Sequence, residues 1–186
     1  MALTTIRAVS YDAMRAWLAG EDPLGRCAAA AASHDRVWII SITGSPRCPH
    51  NVFEGWGDEG PAPLVTDGDD RIALVFDDIE PRPEEATREG YVCFDPAMAG
   101  RVVDFVLRAH GDSEARSDAL LINCHAGVSR SGAVADFARV VAGVSYDRFR
   151  RENPQAVPNA WVRRLLLEAW HARAGASVPT PDRQVR

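Results

Sequence analysis

The chain has no lysine. All 21 basic residues are arginine, so chemistry that depends on a side-chain amine is excluded. A cationic excess is missing too: the net charge is −5. Proteins that bind nucleic acid generally need a basic footprint, so no nucleic-acid partner is expected. No apolar run approaches the length of a bilayer span, and no membrane association is expected. The opening residues carry Arg7, Asp12 and Arg15 instead of a continuous apolar stretch, so no secretory leader is expected. Cysteine is scarce: Cys27, Cys48, Cys93 and Cys124 do not fall into the spacing of a disulfide framework or a zinc knuckle. A reducing, cytoplasmic setting is the expectation, and it would keep a reactive thiol available.

What remains is an ordinary globular composition, 46% hydrophobic and 25% charged over 186 residues. That length suits one domain with a substantial core, expected over 1–174. The polar, proline-containing stretch 175–186 is expected to be a disordered tail. Thr4 to Val9 alternates as a short strand, and Ser10 or Asp12 can cap a helix bearing Met14, Trp17 and Leu18. Arg36 to Ile42 and Arg71 to Phe76 are β-branched apolar runs that predict buried strands. Between Thr43 and Asp70, repeated Gly, Pro and Asp predict a long loop, of the kind that is usually functional or mobile. Asp95-Pro96 opens a helix with Met98, Val102, Phe105, Val106 and Ala109 at helical spacing, which Gly111 is expected to stop. A short helix near Tyr146 to Arg151 and a last one from Asn159 to about Ala172 complete the order. Strands alternating with helices predict an α/β domain, three layers deep, around a mostly parallel sheet.

The most informative segment is ALLINCHAGVSRSG, residues 119–132. An apolar run from Ala119 to Ile122 delivers Cys124 to a tight turn containing Gly127. From Arg130 onward, Ala133, Phe137, Val140 and Val141 mark one apolar stripe of a helix. A strand, a tight loop and a helix N-terminus make a cup of backbone N–H groups suited to an oxyanion. Cys124 at its base is a nucleophile candidate, and Arg130 at its rim offers a planar fork for two phosphoryl oxygens. A helix N-terminus and a nearby cation both favour a thiolate.

This segment resembles the signature loop of the cysteine-dependent protein tyrosine phosphatases, most closely their small dual-specificity branch. The family pattern, His-Cys-x-x-Gly-x-x-Arg followed by Ser or Thr, stands here with Asn123 in place of the histidine. Two further matches are Asp77-Asp78 after the strand Ile72 to Phe76, the usual place of the acid loop, and Pro158-Asn159 opening the late helix. The resemblance runs from about Arg71 to Trp170 and implies a phosphatase-like fold.

It also implies a mechanism that requires no metal or other cofactor. Cys124 attacks phosphorus and forms a phosphocysteine, splitting the reaction into two steps. The amides of His125, Ala126, Gly127, Val128, Ser129 and Arg130 bind the phosphoryl oxygens. Ser131 hydrogen-bonds the sulfur, making it a better leaving group in the second step. Asp78 donates a proton to the leaving oxygen and later activates water, with Asp77 the close competitor. The acid must be protonated in the first step, so the optimum is expected on the mildly acidic side. Asn123 can donate and accept hydrogen bonds around the loop but carries no charge, and reduced activity is expected from it.

The implied partner is a phosphorylated protein or another phosphomonoester, phosphotyrosine first and phosphoserine or phosphothreonine next. A degenerate module that binds phosphorylated partners without turnover, and the same chemistry on a phosphoinositide, nucleotide or RNA phosphate, remain open alternatives. Among the other candidates, Asn159 suits a cap and a brace for the loop better than a catalytic role. Cys48-Pro49-His50 would be half of a metal site, but no second pair accompanies it. Trp56, in the long loop, is a candidate to face substrate.

Overall fold

The computed structural model describes residues 3–22, 25–32, 34–46, 61–79, 89–112 and 117–174. Cys48, Pro49, His50, Trp56 and the expected tail all lie outside these residues, as does most of the loop between Thr43 and Asp70. In chain order the elements are β1 (Leu3–Ser10), α1 (Tyr11–Leu18), α2 (Arg26–Ala31), β2 (Arg36–Thr43) and β3 (Arg71–Val75). They continue with α3 (Pro96–Asp112), β4 (Asp118–Cys124), α4 (Arg130–Val141), α5 (Tyr146–Glu152) and α6 (Ala160–Ala174). The four strands form one sheet in the order β1-β4-β2-β3. Every pairing is parallel, so this is an α/β fold with an all-parallel sheet among the described residues.

Parallel strands need crossovers, and the crossovers place helices on both faces of the sheet. Alternate β4 side chains therefore enter different cores. Leu120, Ile122 and Cys124 join Trp38, Ile40, Leu74, Val102, Phe105, Phe137 and Leu166 on one face. Leu121 joins Val9, Met14, Cys27 and Ile39 beneath α1 and α2 on the other. All seven β4 residues are buried, which explains why Ala119 to Ile122 is a continuous apolar run instead of an alternating one.

The helix starts follow capping chemistry. Ser10 accepts from Ala13 N, Asp95 from Met98 N, and Asn159 Oδ1 from Val162 N. The helix α2 was not expected from the sequence; it enters through Gly25 at φ 61°, with Asp22 accepting from Cys27 N and Ala28 N. The helix α3 ends at Asp112, one residue past Gly111, where the sequence placed its stop.

Strand β1 lies at the sheet edge, where unpaired peptide groups invite another chain. Side-chain amides occupy that edge instead. Asn153 Oδ1 accepts from Ala8 N at 2.7 Å while its Nδ2 donates to Ile6 O at 2.9 Å and Phe149 O at 3.2 Å. Gln155 Nε2 adds a bond to Ala8 O at 2.7 Å. Two amides thus stand in for part of a fifth strand.

Cys27 is fully enclosed, and its thiol is pushed up from 9.0 to about 11 by burial first and by Asp22 second. The neutral form is the one this core accepts. Stability should therefore be fully present below the unfolded value and fall as pH rises from about 9 toward 11. Urea titrations across that range are expected to show a smaller alkaline loss in Cys27→Ala than in the parent.

Candidate active site

The carboxyl ends of β1 and β4 meet at one point, because Ser10 is the Cα partner of Cys124. Cys124 ends β4, and the chain then loops through residues 125–129 before α4 begins at Arg130. Gly127 explains how the loop can curl so tightly: its φ is +72°, a conformation that side-chain-bearing residues resist. It also lies directly on the backbone of β1. A Cβ there would stand 2.5 Å from Val9 C and 2.6 Å from Ser10 N.

The loop turns its carbonyl groups outward. His125 O accepts from Tyr11 N at 3.0 Å, Val128 O from Val157 N at 3.1 Å, and Ser129 O from Ala133 N at 2.9 Å and Asn159 N at 3.3 Å. Gly127 O takes a longer bond, 3.4 Å, from Gln155 Nε2. The N–H groups of Ala126 through Arg130 donate in none of these bonds. Acceptors spent on the protein body and donors left to the inside give a cup whose lining carries positive potential. The amino end of α4 adds the same sign.

At the base of the cup, Cys124 Sγ and Ser131 Oγ are 3.1 Å apart, both buried. Arg130 is only 2% exposed. Its Nη1 donates to Phe76 O at 2.8 Å, and its Nε has no partner among the described residues. No carboxylate pairs with Arg130 among the described residues. A buried guanidinium without a counter-charge is costly unless an anion completes it.

The strand β3 carries the two acidic residues to this cup, and they part company there. Asp77 is 2% exposed and accepts from Ser45 N at 2.8 Å, Ser45 Oγ at 2.6 Å and Val92 N at 2.8 Å. Those bonds hold the 89–95 segment and the end of β2 together. Asp78 is half-buried and reaches the loop: Oδ1 accepts from Ser129 Oγ at 2.7 Å and from Asn159 Nδ2 at 3.0 Å. With both donors on Oδ1, Oδ2 is the oxygen left to carry a transferable proton. Asn159 caps α6 and braces Asp78 at the same time.

These two carboxylates should separate cleanly on substitution. Asp78→Asn is expected to fold normally and lose about 10²-fold or more in kcat, with the loss growing as the leaving group becomes more basic. Asp77→Asn is expected to lower the melting temperature instead, because an amide cannot accept from three donors with the same two oxygens. Parallel melting curves and a leaving-group series of aryl phosphates would check both.

The structure therefore gathers Cys124, Arg130, Ser131, Ser129 and Asp78 at one place, with the amides of residues 126–130 around them. The side chain of Asn123 is not part of that group. It is fully buried on β4, and neither its Nδ2 nor its Oδ1 has a partner among the described residues. Four supports escaped the sequence reading: Gln155, Tyr11 N, Val157 N and the Phe76 carbonyl. Gln155 alone had a visible signal, since it stands in the Asn-Pro-Gln segment before Pro158-Asn159. The other three are backbone groups, which no side-chain pattern marks.

Thiolate formation is disfavoured at the two other described cysteines. Burial, then the Asp77 charge, pushes the half-buried Cys93 thiol up, as burial does for Cys27. Among the described residues no group of three or more His, Cys, Asp or Glu could hold a metal ion. No helix among them is long and apolar enough to cross a membrane. Comparison with family models, curated proteins and solved structures gave no match to this chain.

Proposed function

We propose that the protein is a cysteine-dependent phosphomonoesterase of the protein tyrosine phosphatase type, close to the dual-specificity branch. It hydrolyses phosphotyrosine, and phosphoserine or phosphothreonine in turn, through a phosphocysteine. The observation that carries this reading is the buried Arg130, which no carboxylate pairs among the described residues, beside a loop whose amides 126–130 find no acceptor among them. That arrangement needs a small anion, and Cys124 lies at its base.

In the first step the Cys124 thiolate attacks phosphorus while Arg130 and the loop amides hold the equatorial oxygens. The S–P bond forms as the ester P–O bond breaks, and Asp78 gives its proton to the leaving oxygen. In the second step Asp78 takes a proton from water, the water oxygen attacks phosphorus and the S–P bond breaks. Ser131 Oγ, 3.1 Å from the sulfur, donates to the departing thiolate. The result is inorganic phosphate and regenerated enzyme.

The test is hydrolysis of p-nitrophenyl phosphate at mildly acidic to neutral pH in EDTA and reductant, beside Cys124→Ser. Turnover that survives chelation and disappears in the variant is the expected result; equal turnover in both would sink the assignment. The second reading is binding of a phosphorylated partner without turnover. Asn123 favours it, since no hydrogen bond runs from its side chain to the loop among the described residues.

A further inference from the structure

Ser129 stands where a helix is normally capped, and it does not cap. It directly precedes α4, a place where a serine hydroxyl ordinarily accepts from an amide of the first turn. Its side chain makes no such bond. Ser10 before α1 and Ser145 before α5 both do, accepting from Ala13 N and Arg148 N. The Ser129 hydroxyl instead donates to Asp78 Oδ1 at 2.7 Å, across 51 positions of sequence.

That bond closes a ring. Asn159 Nδ2 donates to the same carboxyl oxygen at 3.0 Å, and Asn159 N donates to Ser129 O at 3.3 Å. A carboxyl group turns about its Cβ–Cγ bond between two similar orientations, because that torsion is broad and roughly two-fold. Two donors on Oδ1, one from the phosphate loop and one from the residue before α6, select a single orientation. The backbone leading to Asp78 is pinned as well, since Arg130 Nη1 holds Phe76 O.

We propose that Ser129 is a positioning residue: its hydroxyl forgoes the helix cap and orients the Asp78 carboxyl, holding Oδ1 so that Oδ2 carries the proton for the leaving oxygen. This role rests on the phosphatase reading and gives the Ser129 side chain a part in it. One residue then serves both halves of the chemistry. Its N–H belongs to the cup that holds the phosphoryl group, and its Oγ belongs to the acid. Loss of the hydroxyl acts on proton transfer, so it is felt where the leaving group needs a proton.

The test is kcat/KM of Ser129→Ala on phenyl phosphate and on 2,4-dinitrophenyl phosphate, a quantity that reports the steps up to departure of the leaving group. With phenyl phosphate, whose leaving group is strongly basic, a fall of about tenfold is expected, the equivalent of one hydrogen bond. With 2,4-dinitrophenyl phosphate, whose leaving group departs without a proton, the fall should stay within about twofold. Ser129→Thr keeps the hydroxyl and should recover most of the phenyl phosphate rate. In the Asp78→Asn background, Ser129→Ala should cost nothing further, because the two residues act through one proton. A hydroxyl that merely supported the loop would give equal losses on both esters, additive with Asp78→Asn, and weaker inhibition by inorganic phosphate. That pattern, or a Ser129→Ala protein that matches the parent on phenyl phosphate, would overturn the proposal. Failure of the phosphatase reading looks different: the parent itself would leave both esters intact, and this role would fall with it.

Discussion

Exchanging Arg130 for lysine is expected to lower kcat/KM for p-nitrophenyl phosphate by about 10²–10³-fold, the usual cost of one lost preorganised donor. The charge is retained, so charge alone does not explain the loss. Arg130 holds Phe76 O with Nη1, and among the described residues its Nε has no partner, which leaves that edge of the fork for the phosphoryl oxygens. An ammonium is a point donor on a flexible stem and cannot serve the carbonyl and two in-plane oxygens together. Binding of inorganic phosphate should weaken alongside, measured by protection of Cys124 from iodoacetate. A loss of less than about threefold in kcat/KM would remove Arg130 from the clamp.

Gly127→Ala should damage both fold and activity. The residue sits at φ +72°, and the added methyl would overlap the Val9 carbonyl carbon at 2.5 Å and the Ser10 nitrogen at 2.6 Å. Both neighbours are backbone of a strand hydrogen-bonded into the sheet, so neither can step aside cheaply. Left-handed strain and overpacking together point to destabilisation on the order of 4 kcal/mol. Urea unfolding would read the stability, and turnover should fall below detection as the cup distorts. Gly132→Ala is the matched control: its methyl would meet Ala156 Cβ at 3.4 Å, an ordinary contact. If both variants behaved alike, the loop would not depend on the geometry at Gly127.

The parts of this fold that could be read in the sequence are those whose signals are local. Val37 to Ile42 and Ala119 to Ile122 declare buried strands because parallel strands are covered on both sides. Ser10 and Asp95 mark helix starts because a capping side chain stands next to the turn it caps. The short α2 gave no such warning. It is six residues long and Ala-rich, and the carboxylate that receives its amides is Asp22, beyond the helix's own first turn. Within the site, Cys124, Gly127, Arg130 and Ser131 come from one continuous stretch, so spacing alone groups them. Asp77 and Asp78 differ by one residue at the end of a strand, and only tertiary contact separates them: Ser45 and Val92 enclose one, Ser129 and Asn159 reach the other.

The amide clasp on β1 also bears on how the protein ages. Asparagine side chains convert slowly to aspartate when the peptide N–H of the next residue attacks the side-chain carbonyl carbon. At Asn153 that conversion would set a carboxylate oxygen against Ile6 O and Phe149 O, the two carbonyls its Nδ2 now serves. The next residue, however, is Pro154, whose nitrogen carries no hydrogen to lose. The residue that fastens the exposed edge of the sheet is thereby placed where the commonest chemical clock of asparagine cannot start.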